Sequence, residues 1–78
     1  MRDTPLTYGQ KAVGLDFNPS GDDAVTTCKV GFADLIDQMD ALRAEAGTGE
    51  KARLASTAIT QMQTAQMWAV KALTWRHG

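Results

Sequence analysis

Residues 54–75 constrain this chain most, because as one helix they carry apolar side chains on two faces. One stripe runs through Ala55, Ile59, Met62, Ala69 and Leu73, and a second through Ala58, Ala65, Trp68, Ala72 and Trp75. A helix packed against a single neighbour needs one stripe, with polar residues opposite. Two stripes require two sets of neighbours, and a chain of 78 residues supplies one other long helix. Further copies of the chain are the expected source of the rest. The sequence therefore predicts a homo-oligomer.

The other long helix is expected over residues 23–46, where Val25, Cys28, Phe32, Leu35, Met39, Leu42 and Ala46 recur every three or four positions. That spacing is an a/d seam suited to helix packing at a shallow angle. Ile36 broadens the seam, while Lys29, Asp37, Asp40, Arg43 and Glu45 form a solvated opposite face. Gly47 stops the helix, and Thr48 is a candidate cap for the next one. So short a link folds the second helix back antiparallel, each helix about 25 residues or roughly 37 Å long. Ahead of the hairpin, residues 4–14 predict a helical arm with Thr4 as N-cap, Pro5 at the first helical position and Gly14 as stop. Gly9 weakens the arm's interior. Two turns cannot stand alone in water, so Leu6, Ala12, Val13 and Leu15 are its expected anchors. Residues 15–22 are dense in turn formers, and Ser20 or Asp22 caps the helix that follows. The expected architecture is one all-α domain over 1–78: a short arm (about 4–14), a loop (about 15–22) and an antiparallel hairpin (about 23–46 and 50–75).

A domain this small needs reinforcement by disulfides, a metal or self-association. One cysteine and one histidine provide neither a disulfide within the chain nor a Cys/His metal cluster, which leaves self-association. The net charge of −1 lacks the basic excess that duplex DNA binding demands, yet local cations suffice for a small anionic ligand. No apolar run is long enough to span a bilayer, and Met1-Arg-Asp-Thr-Pro does not read as a signal peptide. A cytoplasmic protein without a membrane partner is expected.

Catalysis has little support. Cys28 sits on the seam and His77 at the chain end, Asp37 and Asp40 read as a solvated pair, and no phosphate-binding glycine loop is present. No catalytic residue, metal or cofactor is expected. Binding is better supported. Tyr8 and Lys11 share a face of the arm, and an aromatic beside an ammonium suits a base next to a phosphate. The same two residues would also serve to pack and solvate the arm. Lys29 lies one position off the seam, within reach of a subunit boundary or of bulk water. Arg53 opens the second long helix and pairs readily with a carboxylate. Thr57, Thr60 and Thr64 line one side of that helix, where threonine often bonds back to the preceding turn. The turn Asn18-Pro19-Ser20-Gly21 reads as structural, although its N–H groups and the helix start behind it suit an anion. Trp68 and Trp75 read as subunit interface.

Three stretches together, Leu6-Thr-Tyr-Gly-Gln-Lys-Ala-Val-Gly-Leu, Phe17-Asn-Pro-Ser-Gly-Asp and Thr64-Ala-Gln-Met-Trp-Ala-Val-Lys-Ala-Leu-Thr-Trp, resemble a group of small tailed-phage proteins over nearly the whole chain. Those proteins are similar in turn to the helical-hairpin domain of phage anti-CBASS and anti-Thoeris sponges. The resemblance implies immune evasion in the cytoplasm of an infected bacterium. A sponge binds cyclic oligonucleotide or cyclic ADP-ribose-type signals and sequesters them without cleavage. It further implies a hexamer holding cyclic dinucleotides between protomers, contacted by an arm tyrosine and a lysine early in the first long helix. Lys29 falls at the matching helical position. Tyr8, the only tyrosine, lies farther from that lysine than the family spacing. Either the loop from Phe17 to Ser20 absorbs the extra length, or Phe17 takes the stacking role. Some members hold cyclic trinucleotides at a separate three-fold site through an arginine and a threonine. Those positions align here with Ile59 and the vicinity of Gly31, while Arg53 and Thr60 lie close by. The implied ligand set is Tyr8 or Phe17 for stacking and Lys11, Lys29 or Arg53 for phosphate, with Thr60 beside them. The competing reading is an oligomeric helical-hairpin interaction protein that binds a host or phage protein and has no nucleotide site.

Overall fold

A computed structural model describes residues 4–76 and contains three helices: α1 (Tyr8–Ala12), α2 (Asp23–Ala46) and α3 (Glu50–Leu73). No strand occurs among the described residues. The two long helices form the antiparallel hairpin, and α1 lies against α2. Gly47, at φ 76°, ends α2 in the left-handed region, and its N–H bonds to the Arg43 carbonyl. Thr48 does not cap α3; Gly49 precedes that helix with no side-chain cap bond. The helix itself stops at Leu73, earlier than the expected residue 75: the Thr74 N–H still bonds to the Val70 carbonyl, but the Trp75 N–H goes to the Ala72 carbonyl, a tighter three-residue bond that breaks the α pattern.

The arm is helical over a shorter span than expected, and its cap is Thr7 in place of Thr4. Thr7 Oγ1 accepts from the Gln10 N–H (3.1 Å), while Gln10 Oε1 accepts from the Thr7 N–H (2.9 Å). This reciprocal capping box satisfies two donors that a helix start leaves open, which the Thr4-Pro5 start would not. The loop behind the arm is knit around Asn18, whose amide donates to the Asp22 carbonyl (2.9 Å) and to Thr26 Oγ1 (3.0 Å). Of the two candidate caps for α2, Asp22 takes the role, its carboxylate accepting from the Ala24 N–H at 2.8 Å.

The core is small and lies where the end of the arm and both long helices meet. Val13, Ala33, Ile36 and Ile59 form it, with Phe32, Met39 and Met62 packed alongside. The face of α2 that points inward is therefore rotated from the expected seam. Ile36 is fully buried and central, whereas Leu35, assigned to the seam, is 51% exposed. Lys29 and Asp37, expected on the solvated face, are turned toward the arm and its loop. The rotation arises because α2 serves two neighbours and its buried line must face both.

Gly9 shows how closely the arm approaches. A Cβ built there would stand 2.2 Å from the Ala33 carbonyl oxygen, and the Gly9 N–H donates to Asp37 Oδ1 at 2.7 Å. Its role is contact with α2, beyond any weakening of the arm. Gly9→Ala is expected to push the arm off α2 at a cost of about 1–3 kcal/mol, the usual range for overpacking. Amide hydrogen exchange across residues 8–13 should rise in that variant, and unchanged protection would refute the close approach.

The three helices lie side by side in a single layer, with extents of 45 × 34 × 12 Å. The radius of gyration is 14.0 Å, against about 11.5 Å for a compact domain of this length. Such a slab has no second layer to cover it. Trp68 (66% exposed), Met67, Leu54 and Leu73 remain open on α3, and Trp75 just beyond its end is also exposed. No helix among the described residues is long and apolar enough to cross a membrane.

Candidate ligand-binding site

The candidate residues fall into separate groups along the slab. At one end, Phe17 and Lys29 meet over a cavity of about 260 Å³. Its walls are the loop 17–20 with Val25, Lys29, Val70 and Thr74. The Phe17 ring is 73% exposed, which leaves it available for stacking. Lys29 is only 4% exposed, and its Nζ donates to the carbonyls of Gly14 (3.0 Å) and Phe17. Nζ also stands 5.6 Å from the centroid of the Phe17 ring. Lysine buries its aliphatic stem readily while its head finds polar partners. Here the partners are two loop carbonyls, so Lys29 ties the loop to α2 and is not a surface cation.

Tyr8 belongs to a second group. It opens α1 and stays 44% exposed, with the Arg43 guanidinium over its ring at 5.0 Å from the centroid. Arg43 Nε donates to Asp40 Oδ1 (3.0 Å), and Nη1 reaches Ser56 Oγ on α3 (3.4 Å). Hydrogen bonding to the Tyr8 phenol, and then to the Asp40 carboxylate, holds the guanidinium above its ordinary pKa. Neither Asp37 nor Asp40 is simply solvated, since one receives the Gly9 amide and the other pairs with Arg43. Arg43 is the residue that sequence reasoning missed. Its contact with Tyr8 spans 35 positions, and the only local signal was an acid three residues before it.

Tyr8 and Lys29 therefore do not converge within one chain. Tyr8 sits by Arg43, which is fourteen positions beyond Lys29 on α2, or roughly 21 Å at 1.5 Å per residue. Lys11 is exposed in the last turn of α1. Arg53 is engaged by Glu50, with Nη2 to Oε2 at 2.8 Å, an exposed pair that lowers the Glu50 pKa and raises that of Arg53. Thr60 donates to the Ser56 carbonyl (3.3 Å), and Thr57 and Thr64 bond back to their own preceding turns in the same way. The turn at 18–21 spends its polar groups internally, with the Gly21 N–H on the Asn18 carbonyl and Ser20 Oγ on Asn18 Oδ1. Cys28 is half-buried, and His77 lies outside the described residues. No His/Cys/Asp/Glu group able to hold a metal occurs among the described residues.

The cavity is smaller than the roughly 300–1,000 Å³ typical of sites that enclose a whole small molecule. A single chain thus offers two half-sites: an apolar cup rimmed by Phe17, and an exposed ring backed by Arg43. Neither contains a nucleophile and base in contact, the arrangement that covalent chemistry requires.

No curated protein and no solved structure gives a match to this chain. A family profile does, described as "Acb2/Tad1, hairpin domain", and it matches residues 10–74. That span takes in most of α1, the loop and both long helices. Together with the arm-and-hairpin layout, the match over most of the sequence means that the chain belongs to the Acb2/Tad1 hairpin-domain family of anti-CBASS and anti-Thoeris sponge proteins.

Proposed function

We propose that this protein is a phage sponge that binds cyclic oligonucleotide immune signals, cyclic dinucleotides foremost, and withholds them from bacterial receptors without cleaving them. The observation that carries the reading is the family match over residues 10–74. The geometry supports it in two ways. A slab one helix thick with exposed tryptophans is half of a packed structure, so copies of the chain would supply the missing layer, a hexamer by family resemblance. Two aromatic half-sites about 20 Å apart on one chain become a single site when one copy presents Tyr8 and another presents the Phe17 cup. Tyr8 or Phe17 then stacks a base, and exposed Lys11 offers charge for phosphate. Arg53 and Lys29 would contribute only after leaving Glu50 and the loop carbonyls. Thr60 is one turn beyond Ser56, whose carbonyl takes its hydroxyl, and a trinucleotide site that used it would need its own symmetry axis.

Calorimetric titration of the folded protein with cyclic di-AMP, cyclic di-GMP, cyclic GMP–AMP, cyclic tri-AMP and cyclic ADP-ribose tests the reading. Saturable binding is expected, with the signal recovered intact after denaturation and a native mass that is a multiple of the 8.4 kDa chain. A well-folded oligomer that binds none of them would instead favour a protein partner on the open face of α3. Release of a linear product would identify a phosphodiesterase.

A further inference from the structure

We propose that Arg43 is a positioning residue for Tyr8, fixing the ring so that its exposed surface is presented to a base; this rests on the reading that Tyr8 contacts a nucleotide. Three observations carry it. The guanidinium lies over the ring, 5.0 Å from its centroid, a separation at which a cation is attracted by the π face. It is itself anchored twice, to Asp40 on its own helix and to Ser56 on α3. Tyr8 remains 44% exposed beneath this contact, so part of its surface stays open to a base.

Those contacts tie three elements together at one point. The arm is a helix of five residues that cannot hold its own conformation in water. Its first residue is Tyr8, and the amide of the next residue is held by Asp37, one turn before Asp40 on α2. Asp37 fixes the arm backbone, and Arg43 fixes the side chain that projects from it. A ring left free to rotate would spend part of its time in orientations that cannot stack. Apparent affinity would fall by that fraction. Removing an exposed cation–π contact is expected to cost affinity about two- to fivefold by this route.

Tyr8 is the single tyrosine, so 3-fluorotyrosine labelling gives one fluorine resonance reporting on this ring alone. In the unliganded protein, Arg43→Met should move that resonance toward the value of free 3-fluorotyrosine. Arg43→Lys, which keeps a cation, should move it less. Asp40→Asn, which weakens the anchor but retains the arginine, should shift it in the same direction and guards against an Arg43 variant that folds poorly. With cyclic di-AMP as probe, Arg43→Met should weaken binding about two- to fivefold when Tyr8 is present and leave it unchanged in a Tyr8→Leu background. A general structural role would weaken both backgrounds equally. An unmoved resonance in Arg43→Met, or equal losses in the two backgrounds, would overturn the proposal. If the unmutated protein fails to bind cyclic di-AMP or any other cyclic nucleotide, the sponge reading fails, and the fluorine resonance still decides whether Arg43 holds the ring.

Discussion

Ile36→Ala is expected to remove about 2–5 kcal/mol of stability, the range for truncating a fully buried aliphatic side chain. Ile36 is 0% exposed and joins Val13 of the arm to Ile59 of α3 through the centre of the core. The rest of the core is small: among the described residues, Val13, Val25, Ala33, Ala55 and Ile59 are the other buried apolar ones. A chain of this length has a total stability of about 4–12 kcal/mol, so the loss takes a large share of it. The melting temperature should fall by on the order of 10–30 °C. Leu35→Ala is the matched control, one position away and 51% exposed. At low protein concentration it should change stability by no more than about 0.5 kcal/mol. At higher concentration its effect should grow if copies of the chain cover that face, because association stabilises by mass action. Thermal melts of both variants over a concentration series give the answer. Equal losses at low concentration would mean that the face of α2 carrying Ile36 is not the buried one.

That pair of residues also marks how far the sequence can be read. Apolar spacing of three and four, with glycines between, is enough to specify an all-helical hairpin. The direction in which α2 faces is not legible from the same pattern, because the seam rule rewards Leu35 and passes over Ala33 and Lys29. Ala33 is buried because Gly9 must come close to its carbonyl, a fit between small residues 24 positions apart. Lys29 is buried because its head finds two carbonyls in a loop whose path no local rule predicts. The arm's start was legible in principle, since Thr7 and Gln10 carry the capping-box spacing, but the Thr4-Pro5 pair competes with it. The exposed second stripe was legible at Trp68 on α3 and at Trp75 just beyond its end, both more than half exposed. In the candidate site, Tyr8 and Phe17 stand out as the aromatic residues of the arm and its loop. The guanidinium over Tyr8 does not, because Arg43 beside Asp40 looks like any surface pair on a helix.

Lys29→Met separates two roles that family resemblance alone would merge. The substitution keeps an unbranched chain of similar reach and removes the donors. The Phe17 carbonyl then loses the Lys29 donor, and the Gly14 carbonyl keeps only the Phe17 N–H; loss of hydrogen bonds from a charged group costs about 1.5–3 kcal/mol. The loop will open to recover water, taking with it the Phe17 ring that lines the cavity. A fall in melting temperature of roughly 5–15 °C is expected, with faster amide exchange confined to residues 14–22. Binding of cyclic di-AMP should weaken as well, but through loss of the Phe17 cup. Lost affinity in this variant is therefore not by itself evidence that Lys29 touches phosphate. A lysine held in reserve for phosphate predicts a different result: abolished binding with an unchanged melting temperature and an unchanged loop. That outcome would show that the carbonyl contacts contribute nothing to the fold. A chain in which Lys29 closes the loop must lose stability before it loses ligand.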